Sequence, residues 1–237
     1  MFFCSYKVKN LFLQSKTKTA VFGLTTGIQP HNPLIMETIP IERHPLEPFL
    51  PENARLLMLG SFPPQRKRWN IEFYYPNLQN DMWRIYGHLF FGDKNHFLLP
   101  GLKGFDKDKI VAFLLEQGIA IYDTSTAVRR LKDNASDKFL ETVEPTDIGA
   151  LLDRIPQCQA IVTTGQKATD TICEQLNTEA PPMGGRYPFT YRSRALHLYR
   201  MPSSSRAYPM ALEKKAASYR TLFEDLGMLQ REEHSTL

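Results

Sequence analysis

The stretch Leu56-Leu57-Met58-Leu59-Gly60-Ser61-Phe62-Pro63-Pro64, followed at short range by Tyr74-Tyr75-Pro76-Asn77-Leu78-Gln79-Asn80-Asp81-Met82-Trp83-Arg84-Ile85, decides how this chain is read. An apolar run that breaks at Gly-Ser-Phe-Pro-Pro describes a buried strand opening into a stiff loop, and in an open α/β sheet ligands bind at such strand ends. After Asn80 the apolar residues Met82, Ile85, Tyr86, Leu89 and Phe90 recur at helical spacing. Asn80 therefore stands at the head of a helix, where it either caps the first turn or points its amide into the loop crevice.

Downstream the chain keeps alternating. The spacing predicts a helix over 106–117, with Ile110, Phe113 and Leu114 on one face and Gly118 as its stop, then a short strand over 119–122. A helix over 146–155, a strand over 160–164 ending at Gly165, a helix over 166–176, a last strand over 195–199 and a terminal helix over 211–226 follow. This βαβ alternation implies a parallel sheet with helices on both faces. The loops 60–64, 123–130 and 201–208 then meet at one sheet edge and can form a composite site. A fourth turn, Thr164-Gly165-Gln166-Lys167, lacks P-loop spacing and is either a tight turn or a helix N-terminus that meets a phosphate.

A chain of 237 residues can bury one full α/β core. The expected organisation is an N-terminal extension over 1–40, a single domain over 41–230 and a tail over 231–237. Four of the 29 basic residues, Lys7, Lys9, Lys16 and Lys18, lie in residues 1–35, which carry no acid; from Met36 onward 25 basic side chains balance 25 acidic ones. The upstream part contains no Arg, as a transit peptide would, and Met36 reads as a plausible start. A nucleic-acid reading must therefore rest on local clusters: Arg66-Lys67-Arg68, Arg129-Arg130, and the arginines at 192, 194, 200 and 206. Short clusters of this kind are also ordinary solvated surface.

Cys4, Cys158 and Cys173 are widely spaced, without a Cys-x-x-Cys pair, which argues against a disulfide framework, a zinc site or an iron–sulfur cluster and fits a reducing, cytoplasmic setting. No run approaches the ~20 apolar residues of a membrane span. The six histidines are scattered, and no Ser-His-Asp or Cys-His order suggests a nucleophile. No Lys adjoins the motifs in a way that suggests a Schiff base.

Taken together, Gly-Ser-Phe-Pro, the Tyr-Tyr pair with Asn80 ahead of an aromatic-rich helix, Tyr122-Asp123 with Val128-Arg129, and Met-Pro-Ser-Ser-Ser ahead of the Glu213-Lys214-Lys215 helix resemble the uracil-DNA glycosylase superfamily, most closely its hypoxanthine-DNA glycosylase branch. The resemblance runs from about residue 54 to 226, and the order of four motifs makes it more specific than any one of them. It implies a three-layer α/β/α sandwich with a central, mostly parallel sheet. It also implies an enzyme that flips a deaminated base, uracil or hypoxanthine, out of DNA and hydrolyses its N-glycosidic bond in base excision repair. No metal and no organic cofactor are implied; the partner is damaged DNA, not a membrane, and a monomer is expected.

By the same resemblance Asn80 holds the place of the catalytic Asn, with Ser61 of the first motif beside it. An amide is no strong base, so Asn80 would contribute positioning and electrostatics around an oxocarbenium-like transition state. Phe62, in a place where many members carry a water-activating acid or amide, would wall the pocket or stack on the base; an ordinary core Phe is the alternative. Tyr75 would line the pocket with Tyr74, and Asp123 would accept an N–H from the base edge or serve structurally. Ser203, Ser204, Ser205 and Arg206, with Lys167, would grip DNA phosphates, and Met201 or Tyr208 would be the wedge into the emptied stack. Trp83 and His197 read as core residues.

The chain departs from the branch in carrying Asn77-Leu78-Gln79 where His-Pro-Arg is usual, and Arg206 and Tyr208 where the last loop usually continues with Pro and Asn. Both departures fall on base-recognition and DNA-contact regions, so the preferred base stays open. A catalytically silent DNA- or nucleotide-binding module of the same fold is the alternative function, and a small-molecule enzyme on a doubly wound sheet is a third.

Overall fold

Leu56, Leu57, Met58 and Leu59 are fully buried, as a strand covered on both faces requires. The structure, a computed structural model, describes residues 39–132 and 137–231. The expected extension over 1–40 and tail over 231–237 lie, but for their innermost residues, outside that range, as does Cys4.

In chain order the elements are β1 (Ile41–Arg43), β2 (Leu56–Gly60), α1 (Met82–Phe91), α2 (Lys107–Gln117), β3 (Ile119–Asp123), β4 (Ser125–Arg130) and β5 (Leu140–Pro145). They continue with α3 (Ile148–Arg154), β6 (Ala160–Thr164), α4 (Gln166–Leu176), β7 (Arg186–Tyr191), β8 (Arg194–Met201) and α5 (Leu212–Asp225). The main sheet has the order β3-β2-β6-β8-β7; β3, β2, β6 and β8 are parallel, and β7 closes one edge antiparallel to β8. With helices covering it, the fold is the expected α/β/α sandwich.

Local chemistry explains the helix limits. Asp106 caps α2 by accepting from the Lys109 N–H, and Asp147 caps α3 by accepting from that of Ala150. Gly92 and Gly118 end α1 and α2 in the left-handed conformation. The aromatic rings predicted on the helix face of α1 lock three helices together: Tyr86 meets Phe113 of α2 and Phe223 of α5, edge-on in both cases. Trp83 is fully buried, as expected, whereas His197 is only half-buried on β8.

One expected loop is a strand. Residues 123–130 hold a single linking residue, Thr124, after which β4 leaves the main sheet and forms a three-stranded antiparallel sheet in the order β1-β4-β5. Its register shifts near Ala127, and this irregularity blurs the period-two pattern. The segments of β1, β5 and β7 carry too weak a signal to be anticipated.

Candidate active site

β2 has β3 on one side and β6 on the other, so strand order reverses at β2 and a crevice opens beyond its C-terminal end. A cavity of about 590 Å³ occupies that position. It takes Gly60 and Ser61 from the end of β2, Asp123 from β3, Thr164 from β6 and Ser203, Ser204 and Ser205 from the segment after β8. The composite site expected from strand-end loops is therefore present.

Asp123 is fixed from three directions. Gly60 lies opposite it in the β2–β3 register, and a Cβ on Gly60 would come within 2.3 Å of Asp123 Oδ1, so only glycine lets the carboxylate approach. Its other oxygen, Oδ2, lies 3.0 Å from His44 Nε2, and its backbone carbonyl accepts from the Thr146 hydroxyl at 2.7 Å. The His44 ring sits against Phe62 and Tyr122, with centroids 5.3 and 4.6 Å away. Nδ1 of His44 lies 2.8 Å from Leu46 O and 3.2 Å from the Leu46 N–H. A doubly protonated ring donates to both oxygens; a ring carrying its proton on Nε2 keeps the Asp123 contact and accepts from the Leu46 N–H.

The walls are aromatic. Phe62 is buried in the cavity wall and packs with Val128 and Leu140 behind it, so it serves the cavity and a small core cluster together. Tyr74 donates its hydroxyl to Glu47 O at 2.8 Å, and Tyr75 shares a 3.0 Å hydrogen bond with Thr164 Oγ1. Burial, reinforced by the Asp123 charge, pushes both phenols well above their ordinary range, so they remain neutral donors; Tyr122 is pushed up to about 12 by the same causes. Tyr75 holds a left-handed backbone at φ 47°, a strained conformation of the kind that clusters at ligand sites.

Asn80 lines the cavity at the head of α1, and its Oδ1 accepts from the Met82 N–H at 2.9 Å. The N-cap residue of α1 is Asp81, so the cap expected at Asn80 falls one residue later; the Asn80 carbonyl instead closes a turn onto the first helical N–H, which leaves its amine as the group for a ligand. The serine segment is joined to this helix head through the backbone. Asn80 and Ser205 form a bridge, Asp81 N–H donates to Ser204 O at 2.8 Å and Arg206 N–H to Gln79 O at 3.0 Å. Lys215 of α5, only 1 % exposed, donates to Ser205 O at 2.8 Å and lies 3.4 Å from Asp81 Oδ2, while Arg206 Nε donates to Asp81 Oδ1 at 2.8 Å.

Arg206 thus stands outside the cavity, exposed and paired with Asp81, and Lys167 is half-buried at the start of α4 without lining the cavity. Met201 is fully buried at the end of β8 and cannot act as a wedge; Tyr208, half-buried at the rim, can.

Sequence reasoning missed two participants, His44 and Asp137, and named Arg130 only within the loop over 123–130 and as part of a basic pair. His44 approaches from the segment after β1, 79 residues before Asp123. Arg130 reaches the cavity while gripping Glu42 with two nitrogens and donating to Pro63 O at 3.1 Å, which stiffens the loop over 60–64. Asp137, ahead of β5, puts a second carboxylate into the cavity, within hydrogen-bonding reach of Ser61. Nothing local marks these residues; each is defined by a long-range contact.

No family model matches the chain. Over 119 residues, half of this chain and 68% of the relative, it is 28% identical to a protein of Methanosarcina acetivorans named hypoxanthine DNA glycosylase. A solution NMR structure of a protein from the same organism, provisionally named a uracil DNA glycosylase, superposes with a TM-score of 0.54 at 23% identity, covering 79% of this chain and 99% of that one. The chain has the fold of that uracil-DNA-glycosylase-like structure, and in sequence its resemblance is to the protein named hypoxanthine DNA glycosylase.

Proposed function

We propose that this protein is a monofunctional DNA glycosylase that flips a deaminated base, uracil or hypoxanthine, into the cavity and hydrolyses its N-glycosidic bond. The observation that carries this reading is the convergence, at the switch point of the sheet, of an aromatic-walled cavity, Asn80 ahead of the α1 N-terminus and a serine segment braced against that same helix head. Base-excising chemistry needs those parts: a slot that takes a flipped base, polar groups for its edge and a segment that holds the backbone. The similarity to a relative named as a hypoxanthine DNA glycosylase supports it.

In this reading the base lies between Phe62 and Tyr75, and Asp123, held by His44, accepts an N–H from its edge. The Asn80 amine stabilises charge developing on the departing base. The hydroxyls of Ser203 and Ser205 and the Arg206 guanidinium meet phosphates, and Lys167 adds positive charge at the head of α4.

A gel assay tests the reading. Labelled duplexes carrying uracil, hypoxanthine, xanthine or a G·T mismatch are incubated with wild type or Asn80→Ala, then treated with alkali to cleave abasic sites. Strand cleavage by wild type that is lost in Asn80→Ala is expected. One observation favours a second reading: the Asn80 carbonyl is already engaged by the Met82 N–H, as it would be in a binding module without chemistry. DNA binding with no cleavage of any duplex would select that module.

A further inference from the structure

The glycosylase reading leaves one step without a group to perform it. Hydrolysis of an N-glycosidic bond needs a water whose proton can be accepted as its oxygen bonds to C1′. The loop over 60–64 offers Ser61 and Phe62 but no carboxylate, and the Asn80 amide is a poor base. Asp123 is already committed: one oxygen contacts His44 and the other is packed against the backbone of Gly60.

Asp137 has none of these restrictions. It enters the cavity from a short turn ahead of β5, within hydrogen-bonding reach of Ser61, and lines the same space as Tyr75 and Asn80. Resting on the glycosylase reading, we propose that Asp137 is the general base of the reaction, oriented by the Ser61 hydroxyl toward a water on the C1′ side of the cavity. The glycosidic bond breaks with its electron pair passing to the base; the water oxygen bonds to C1′; its proton passes to the Asp137 carboxylate. The departing base gains a proton from solvent, and Asp137 returns its own, so no further reactant is needed.

The charges around Asp137 suit the task. Burial and the Asp123 charge raise its proton affinity above that of an ordinary carboxylate, while the Ser61 hydrogen bond, Arg130 of β4 and Lys167 of α4 restrain the rise. Lys138 beside it and the phenols of Tyr74, Tyr75 and Tyr208 are the other titratable and charged groups lining this space among the described residues. A carboxylate poised in this way accepts a proton more readily than a solvated one and is still available in its ionised form. This also gives Lys167 a role inside the protein, tuning Asp137, besides meeting DNA.

The test is single-turnover excision from the cleavable duplexes across a range of pH, comparing wild type, Asp137→Asn and Asp137→Glu, with affinity for a duplex carrying a non-cleavable 2′-fluoro nucleotide measured in parallel. Asp137→Asn is expected to lower the rate by about 10²–10⁴-fold, to retain that affinity and to lose the fall in rate on the acid side. Asp137→Glu, which keeps the carboxylate, is expected to recover part of the rate. Rates for Asp137→Asn within a few-fold of wild type, with the acid limb unchanged, would overturn the assignment. So would equal losses in both variants accompanied by loss of affinity, which would mark a structural role. A wild type that cleaves no duplex overturns the glycosylase reading itself, and the assignment with it.

Discussion

His44 Nε2 lies 3.0 Å from Asp123 Oδ2, and with side-chain exposures of 2% and 9% the pair is almost wholly withdrawn from water. The histidine comes from the segment between β1 and β2, whereas Asp123 ends β3, so one contact ties the antiparallel sheet's entry strand to the cavity floor. His44→Ala leaves a buried carboxylate without its donor, and the expected cost is about 1–3 kcal/mol of stability. His44→Gln, which restores an N–H at a similar reach, is expected to recover part of it. Urea unfolding of the three proteins measures both; an unchanged midpoint for His44→Ala would show that the pair is dispensable.

Gly60→Ala tests the same carboxylate from the other side. The added methyl would stand 2.3 Å from Asp123 Oδ1 and 3.3 Å from the Tyr75 hydroxyl, so Asp123 must move out of its place against the strand. Overpacking of this kind costs about 1–3 kcal/mol. Excision should fall further than stability alone explains, because the displaced group is in the cavity. Thermal melting together with single-turnover excision separates the two effects.

The parts legible in the sequence were those built from local pattern. β2 and β6 read as strands because short, largely apolar runs end at or just before Gly60 and Gly165, and α2 read as a helix because an apolar face and a Gly118 stop coincided. β4 was not legible, since Ser125, Thr126 and Ala127 lack a clean alternation and the register shifts within them. Of the candidate site, Gly60, Ser61, Phe62, Tyr75, Asn80, Asp123 and the three serines were found because each sits at the end of a legible element. His44 meets Asp123, and Asp137 enters the cavity, only through the pairing of β1, β4 and β5, which no local signal announces. Arg206 was legible as a cation but not as the partner of Asp81, a contact that spans 125 residues.

Lys215 is the buried end of that connection. Its ammonium holds Ser205 O and faces Asp81, which also carries Arg206, so the helix head of α1, the serine segment and α5 share one charged junction. Lys215→Met keeps the stem and removes the charge, leaving Ser205 O with only the Tyr208 N–H and Asp81 dependent on an exposed arginine. The expected loss is about 3 kcal/mol, at the lower end for breaking a buried ion pair because Arg206 remains. DNA affinity should fall with it, as Ser205 loses its anchor. Equilibrium unfolding and binding to an undamaged duplex are the two measurements; full stability with full affinity would show that the backbone bridge alone holds the segment.

Asn80 carries two roles on one amide, and two substitutions separate them. Its Oδ1 accepts from the Met82 N–H across the N-cap residue Asp81, a hydrogen bond whose loss on substitution by alanine costs about 1 kcal/mol. Asn80→Asp keeps an accepting oxygen of nearly equal quality but replaces the amine with negative charge beside a base that departs as an anion. Asn80→Ala is therefore expected to be both less stable and inactive, whereas Asn80→Asp should melt like wild type, fold the same serine bridge and still fail to excise. Activity in Asn80→Asp equal to wild type would mean that the amine takes no part in the chemistry and that Asn80 only closes the turn onto the helix. The comparison requires only melting curves and the excision assay on the same protein preparations, and it distinguishes a loss of chemistry from a loss of the helix head that positions it.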